Sequence, residues 1–181
     1  MKNKAVFLDR DGTVNVEKDY LHRTEDLEFE ENIPETLKYL YDKGYKLIIV
    51  SNQSGVARGY FTVQDVEDVH SFMQKKAEDA GFKIEKFYYC PHHPEGKVQE
   101  YSIECSCRKP GTGLIDQAVK DFDIDVSASY MIGDKAADMI AGKRAGLTTI
   151  LVGTGYGKET AENFKDYDHY FEDISQIKSV I

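Results

Sequence analysis

Short apolar runs alternate with stretches of helical periodicity along most of the chain. Five of the runs predict buried β-strands: AVFLD (5–9), YKLIIVS (45–51), EKFYYC (85–90), SYMIGD (129–134) and TTILVG (148–153). Apolar residues recur at helical spacing in the intervening segments 34–43, 62–80, 114–122 and 134–145. Because strands and helices alternate, the pattern predicts an α/β fold: a three-layer, doubly wound parallel sheet with helices on both faces.

The predicted helix over 62–80 has the clearest boundaries. Thr62 suits the N-cap position, Asp65 falls at N3, and Gly81 follows the last apolar position. No repeat, low-complexity tract or linker interrupts the pattern, so we predict one domain over 1–181.

The stretch from Pro91 to Gly113 is the exception, since it has little apolar periodicity. Loops of this length in compact domains are usually functional or held by something other than a hydrophobic core. All three cysteines lie within 90–107, and an odd number in one segment is a poor disulfide framework but suits a metal. We therefore interpret 90–107 as a metal-stabilised loop inserted into the domain.

Charge and composition exclude some classes of partner. The formal net charge of −9 argues against nucleic acid, because no basic excess is present to replace its counterions. No apolar run has membrane-spanning length. In the N-terminal MKNKAVFLDRDG, acidic residues occur before an apolar segment long enough for a signal peptide could form. We expect a cytoplasmic monomer with no nucleic-acid or membrane partner.

Three acids follow predicted strands: Asp9 and Asp11 after the first, and Asp134 after the fourth. The carboxyl ends of parallel strands meet at one edge of the sheet, where ligands bind. Taken singly, each acid is more typical of a turn or a helix cap. Taken together, three desolvated carboxylates need a cation, and their oxygens suit Mg²⁺; Asp138 adds a fourth acid one helical turn after Asp134.

Four motifs occur in the order typical of one superfamily: FLDRDGTVN, IIVSNQSG, CRKPGTG and MIGDKAAD. The chain resembles the haloacid dehalogenase-like phosphohydrolases. Within that superfamily it is similar to the heptose bisphosphate phosphatases through NQSGVARGYFT, YYCPHHPEG and CSCRKP, so the resemblance covers nearly the whole chain. It implies a Rossmann-like fold. Roughly thirty residues separate DGT from the strand at Tyr45, and about as many separate SNQSG from EKFYYC; predicted helices largely fill both spaces, so we expect no cap domain.

The resemblance implies catalytic roles for the acids. Asp9 would be the nucleophile that forms an aspartyl-phosphate, and Asp11 the general acid and then base. Magnesium would be held by Asp9, Asp134 and the backbone carbonyl of Asp11, while Lys135 would contact substrate or the acidic cluster. The chemistry agrees, because a carboxylate beside Mg²⁺ stays ionised while its neighbour can share a proton with a leaving oxygen.

Polar residues in the second and third motifs would stabilise the phosphoryl group. Ser51 and Asn52 follow the second strand, where a hydroxyl and amides can hold phosphoryl oxygens. Lys109 would be the cation on those oxygens, and Arg108 would bind the sugar or its distal phosphate. The plain alternatives are a strand-terminating turn and a solvated basic pair.

Cys90, His92, Cys105 and Cys107 would bind a structural zinc ion. They form C-x-H and C-x-C pairs twelve residues apart, and four protein ligands leave no open position for catalysis. Spacing alone does not choose between His92 and His93; the resemblance implies His92. The alternative is buried free thiols beside incidental histidines.

Loops after the first and second strands would shape the entrance. By resemblance, the substrate-contact candidates there are Glu17, Lys18, Asp19, Tyr20, Gln53, Ser54 and Arg58.

The resemblance implies a small phosphorylated sugar as substrate, D-glycero-D-manno-heptose 1,7-bisphosphate, whose C7 phosphate would be hydrolysed to leave heptose 1-phosphate. This product would be used to make nucleotide-activated heptose for lipopolysaccharide core or surface glycans. Two alternatives stay open. A histidinol-phosphate phosphatase would share the capless fold and the zinc loop, although a bisphosphate better explains Arg58 and Arg108. A non-catalytic zinc-stabilised binding module would have no need for the second acid, Asp11.

Overall fold

Six parallel β-strands form the sheet at the centre of residues 2–181, the part of the chain that the computed structural model describes. They are β1 (Ala5–Leu8), β2 (Lys46–Asn52), β3 (Ile84–Cys90), β4 (Tyr130–Gly133), β5 (Thr148–Val152) and β6 (His169–Phe171). The strand order is β3-β2-β1-β4-β5-β6, and every neighbouring pair is parallel. The five strands expected from the apolar runs are confirmed to within one or two residues.

Six α-helices connect the strands: α1 (Ile33–Asp42), α2 (Gly55–Arg58), α3 (Val63–Asp79), α4 (Gly113–Phe122), α5 (Ala136–Arg144) and α6 (Gly157–Asn163). The predicted start of α3 is confirmed. Thr62 Oγ1 accepts a hydrogen bond from the backbone N–H of Asp65, whose carboxylate accepts one from the backbone N–H of Thr62. None of these helices is long and apolar enough to cross a membrane.

The apolar positions of the central strands face two separate cores. In β1, Val6 and Leu8 pack into one cluster with residues of α1 and α3, while Ala5 and Phe7 pack into the other with residues of α4. Alternate side chains of a strand point to opposite faces, so a strand buried on both faces reads as a continuous apolar run. This confirms the three-layer α/β architecture.

Strand β6 and helices α2 and α6 were not expected from the sequence. All three residues of β6 are only half-buried, since the strand lies at the edge of the sheet. Helix α2 is four residues long, and in α6 only Gly157 is buried. Short or largely exposed elements lack the apolar periodicity that sequence prediction depends on.

The strand order reverses direction beside β1. The chain runs outward from β1 through β2 to β3, then crosses back to place β4 on the other side of β1. Such a switch point opens a crevice at the carboxyl ends of the flanking strands, where α/β proteins bind ligands. Asp9 and Asp134 follow the two strands that flank it.

Candidate active site

A cavity of about 530 Å³ opens at this switch point. The sequence-predicted residues that line it are Asp9, Asp11, Glu17, Asp19, Tyr20, Asn52, Gln53, Ser54, Arg108, Lys109 and Lys135. Gly55, Pro110, Ala137, Asp138 and Tyr156 complete the lining. The topology therefore brings together residues from the loops after β1, β2, β4 and β5 and from the end of the cysteine-containing loop.

Lys109 is the buried cation at the floor of the cavity. Its ammonium donates to Asp9 Oδ1 at 2.8 Å, to Asp138 Oδ1 at 2.6 Å and to the carbonyl of Val50 at 2.6 Å. Burial would lower the pKa of Lys109, but the carboxylates of Asp138 and Asp9 outweigh it and raise that pKa above its ordinary value. The side chain is therefore a permanent positive charge that holds two acids in place.

Asp9, Asp134 and Asp138 form a compact acidic cluster. All three are buried, and one carboxylate oxygen of each lies within 4.8 Å of the others. Asp134 Oδ2 accepts the backbone N–H of Tyr156 at 2.9 Å, whereas buried Oδ1 has no partner among the described residues. Burial, Asp9 and Asp138 raise the pKa of Asp134 to about 8. This donor set fits a hard divalent cation, which would relieve the repulsion and satisfy the free oxygen.

Two glycines leave room for the carboxylate of Asp134. A Cβ at Gly12 or at Gly155 would lie 2.3 Å from Asp134 Oδ2, and both glycines have positive φ angles of 83° and 52°. A side chain at either position would therefore push Asp134 away from the cluster as well as strain the backbone.

Asp11 lies beside the acidic cluster but faces different partners. Its carboxylate accepts hydrogen bonds from the Arg10 guanidinium at 3.1 and 3.2 Å, from Asn15 Nδ2 at 3.0 Å and from Gln53 Nε2 at 3.0 Å. Burial raises the pKa of Asp11, but Arg10 and the amide donors outweigh it and hold that pKa below its ordinary value. Asp11 therefore faces a guanidinium and amide donors, whereas Asp134 faces the carboxylates of Asp9 and Asp138.

Ser51 and Asn52 lie at the end of β2, as expected. Ser51 is 1% exposed, and its Oγ accepts from Gln53 Nε2 at 2.6 Å. Asn52 clamps the backbone of Lys109: its Oδ1 accepts the Lys109 N–H at 2.9 Å, and its Nδ2 donates to the Lys109 carbonyl at 3.0 Å. The IIVSNQSG motif therefore orients the backbone of the CRKPGTG motif, a contact that spacing along the chain does not indicate.

The rim of the cavity carries charges of both signs. Lys135 Nζ lies 3.6 Å from Glu17 Oε2 and 4.9 Å from the centre of the Tyr156 ring. Asp19 and Tyr20 have positive φ angles of 42° and 65°, a conformation uncommon in residues other than glycine. Among the substrate-contact candidates, Lys18 and Arg58 lie outside the cavity lining: Lys18 pairs with Glu28 at 3.2 Å, and Arg58 Nη2 lies 3.2 Å from His93 Nε2. The predicted catalytic residue Ser51 and the predicted metal ligand Asp134 are buried and do not line the cavity either.

The four predicted zinc ligands come together in space. Ligand atoms of Cys90, His92, Cys105 and Cys107 all lie within 4.8 Å of one another. His92 Nδ1 is 3.6 Å from the sulfur of Cys90 and 3.7 Å from that of Cys107. A tetrahedral zinc ion with ordinary bond lengths would place nitrogen and sulfur about 3.6 Å apart. Of the two adjacent histidines, His92 faces the thiols and His93 faces Arg58.

Sequence reasoning assigned no role to four residues of this region. Asp138 forms an ion pair with Lys109; its spacing of four residues from Asp134 had marked it only as a further acid near the cluster. Tyr156 lines the cavity through a loop after β5 that has no distinguishing pattern. Arg10 and His70 are buried behind Asp11, and nothing in the sequence separates them from surface and core positions.

The fold and these motifs define a hydrolase of the haloacid dehalogenase-like superfamily. The profile of the HAD-hydrolase-like family matches residues 106–177. The heptose bisphosphate phosphatase of B. bronchiseptica, whose crystal structure is complexed with magnesium and phosphate, superposes with a TM-score of 0.86 at 26% identity, covering 97% of this chain and 96% of that chain.

Two curated relatives narrow the assignment. The chain is 48% identical over 170 residues to the D-glycero-beta-D-manno-heptose-1,7-bisphosphate 7-phosphatase of Haemophilus ducreyi, covering 93% of this chain and 92% of the relative. It is 43% identical over 180 residues to the enzyme of the same name from Pasteurella multocida, covering 98% and 96%. The chain belongs to the heptose-1,7-bisphosphate 7-phosphatase family.

Proposed function

We propose that the chain hydrolyses the C7 phosphate ester of D-glycero-D-manno-heptose 1,7-bisphosphate and releases heptose 1-phosphate and inorganic phosphate. The observation that carries the proposal is the buried group of Asp9, Lys109 and the cluster acids, which lies beside an Asp11 that is held by Arg10 and two amides. A nucleophilic carboxylate, a fixed cation and a separate acid–base group are what phosphomonoester hydrolysis needs. The names of the curated relatives supply the substrate.

Magnesium is the proposed cofactor, and the acidic cluster fits it. Asp9 and Asp134 would supply carboxylate oxygens and Asp11 its backbone carbonyl, while Asp138 would support the site through Lys109. When bound, the ion would neutralise charge on the phosphoryl oxygens and align the phosphate with Asp9. The magnesium and phosphate in the B. bronchiseptica relative support this choice.

The first half-reaction would phosphorylate Asp9. The negative charge of a bound substrate phosphate beside Asp11 would favour its protonated form, with the proton taken from solvent. A carboxylate oxygen of Asp9 then attacks the phosphorus of the C7 phosphate, the bond between phosphorus and the C7 oxygen breaks, and Asp11 gives that oxygen its proton. Lys109, which donates to Asp9 Oδ1, would also donate to the phosphoryl oxygens, and the hydroxyl of Ser51 and the amide of Asn52 would assist it. The hydrogen bonds from Asn52 hold the Lys109 backbone in the position that this requires.

The second half-reaction would return the enzyme to its starting state. Water attacks the phosphorus of the aspartyl-phosphate, Asp11 takes the proton of that water, and the bond between phosphorus and Asp9 breaks. Arg10, Asn15 and Gln53 favour the ionised form of Asp11, which is the form that accepts this proton. One acid therefore serves both halves because it regains in the second the proton it lost in the first.

The remainder of the substrate would lie toward the rim. Arg108 is the proposed partner of the distal phosphate, with Lys135 completing a cationic side that opposes the net charge of −9. Glu17, Asp19, Tyr20, Gln53 and Ser54 are the proposed partners of the sugar hydroxyls. Lys18 and Arg58 would have to leave their present partners, Glu28 and His93, to take part.

We also propose that Cys90, His92, Cys105 and Cys107 hold a structural zinc ion. The nitrogen–sulfur separations match a tetrahedral zinc site, and burial raises the pKa of the Cys90 and Cys107 thiols, so their thiolates need a cation nearby. Arg108 and Lys109 directly follow a ligand, so the ion would fix two basic side chains at the cavity. Thiolate ligands fit the reducing conditions of the cytoplasm, the proposed location.

The test compares kcat/KM for both anomers of heptose 1,7-bisphosphate with that for histidinol phosphate, in the presence of Mg²⁺. We expect one heptose anomer to be preferred by at least about 100-fold, because histidinol lacks the second phosphate that Arg108 would bind. A preference for histidinol phosphate would contradict the proposal. A place in nucleotide-activated heptose synthesis, and a monomeric state, remain predictions.

A further inference from the structure

Arg10 lies between the two acids in sequence, yet its side chain is fully buried beneath them rather than exposed in the cavity. Its Nη2 donates to Asp11 Oδ1 at 3.1 Å and its Nε to Asp11 Oδ2 at 3.2 Å, and Nη2 also donates to the carbonyl of Leu21 at 3.0 Å. A planar guanidinium that meets both oxygens of a carboxylate fixes the plane of that carboxylate as well as its position. Arg10 therefore determines which way Asp11 faces.

His70 contacts the opposite end of the guanidinium. It projects from α3, is 3% exposed, and its Nε2 lies 3.5 Å from Arg10 Nη1. The imidazole stacks on Phe87, with ring centres 4.6 Å apart and an angle of 18° between planes, and meets the edge of Tyr89. Packing on two sides leaves the ring little freedom to turn away from Arg10.

The chemistry of the pair fixes the state of the imidazole. An arginine N–H only donates, so Nε2 must accept, and the single proton of a neutral ring must lie on Nδ1. Burial and the charge of Arg10 lower the pKa of His70 to about 3, which agrees with a neutral ring. His70 is thus a fixed acceptor at working pH.

We propose that Arg10 is a positioning residue for Asp11, and that His70 holds the Arg10 guanidinium in the orientation that aims the Asp11 carboxylate at the leaving oxygen. Asn15 donates to Oδ1 and Gln53 to Oδ2, each from a separate side chain, so without the guanidinium the carboxylate loses the one planar group that holds both of its oxygens. The inference rests on the proposed role of Asp11 as general acid. It adds a side chain from α3, well outside the four motifs, to the catalytic apparatus.

The test uses two substrates that differ in their need for an acid. A sugar phosphate loses a basic alkoxide that must be protonated, whereas p-nitrophenyl phosphate loses a weakly basic phenolate without help. The value of kcat/KM reports the steps through phosphorylation of Asp9, so the later hydrolysis does not obscure it. A misaligned acid lowers it for the sugar phosphate alone.

The matched variants are His70→Gln and His70→Met, which have similar length and differ in the acceptor. We expect His70→Met to lose about 10-fold in kcat/KM on heptose bisphosphate and less than about 2-fold on p-nitrophenyl phosphate, and His70→Gln to recover most of the loss. Equal losses on both substrates, or equal behaviour of the two variants, would overturn the proposal. Arg10→Lys, which keeps the charge but loses the fork, should show the same selective loss as His70→Met.

A measurement on the unaltered protein covers the case in which these variants fail to fold. The ¹⁵N NMR shifts of His70 should show a neutral ring with the proton on Nδ1, and a proton on Nε2 would overturn the proposal. Asp11→Asn separates this inference from the function it rests on. If that variant loses kcat/KM equally on both substrates, the role of Asp11 as general acid is wrong; if its loss in kcat/KM is selective for the sugar phosphate while His70→Met shows none, only the positioning role fails.

Discussion

Replacing Lys109 by Met tests the centre of the site. The side chain is 3% exposed and donates to two carboxylates and a carbonyl, with every distance at or below 2.8 Å. Methionine matches the four-atom apolar stem of lysine and lacks only the ammonium group, so the substitution removes the charge and little volume. Asp9 and Asp138 would then be buried acids without a cation between them.

The size of the effect follows from that loss. Removing one partner of a buried ion pair destabilises by about 3–5 kcal/mol, because the other charge is left uncompensated. In a protein of this size each kcal/mol lowers Tm by about 2–4 °C, so Tm should fall by about 6–20 °C. Activity should fall further, by about 100- to 1,000-fold in kcat, because the same ammonium is the proposed partner of the phosphoryl oxygens.

Thermal unfolding and steady-state kinetics measure the two effects separately. Adding Asp138→Asn to Lys109→Met removes one uncompensated charge, so it should recover part of the lost stability and none of the activity. Lys143→Met is the control: its ion pair with Asp168 is about one-third exposed, and such pairs contribute at most about 1 kcal/mol. A change below about 1 kcal/mol for Lys109→Met, or unchanged kcat, would refute the reasoning.

Three further predictions concern other parts of the molecule. The pKa of His70 in the folded protein is lowered to about 3, so as pH falls below about 6.5 this histidine becomes protonated in the unfolded chain before it does in the folded one. The free energy of unfolding of the wild type should therefore fall, relative to that of His70→Gln, by up to about 1.4 kcal/mol per pH unit between pH 6 and 4. The same pH dependence of the unfolding free energy in both proteins would contradict this. Gly12→Ala should cost far more activity than Gly44→Ala, since both glycines have φ near 83° but only a Cβ at Gly12 meets Asp134; equal losses would show that backbone strain alone matters. The purified chain should contain about one zinc ion, measured by atomic emission, and Cys105→Ser should contain much less; a zinc-free active wild type would contradict the proposed site.

Much of the fold was predictable because its central strands are buried on both faces. β1, β2 and β5 read as continuous apolar runs, and α3 carries a complete capping box. Strand β6 escaped prediction because an edge strand of three half-buried residues is held by pairing with β5, a long-range contact that leaves no local pattern.

The acids of the site were predictable for a topological reason. Residues that follow parallel strands meet at one edge, so Asp9 and Asp134 come together although 125 positions separate them in the chain. The partners of these acids were not predictable in the same way. Nothing local shows that Arg10 turns inward to meet His70, because a polar residue between two acids is ordinarily exposed.

Chemical trapping tests most directly whether Asp9 becomes phosphorylated. Enzyme quenched in acid during turnover of heptose bisphosphate and then treated with borohydride should contain homoserine, the reduction product of an aspartyl-phosphate, and peptide mass spectrometry should place it at position 9. The Asp9→Asn variant, handled identically, should give no product. Homoserine at position 11 or 134, or none anywhere in a wild-type enzyme caught during turnover, would contradict the account.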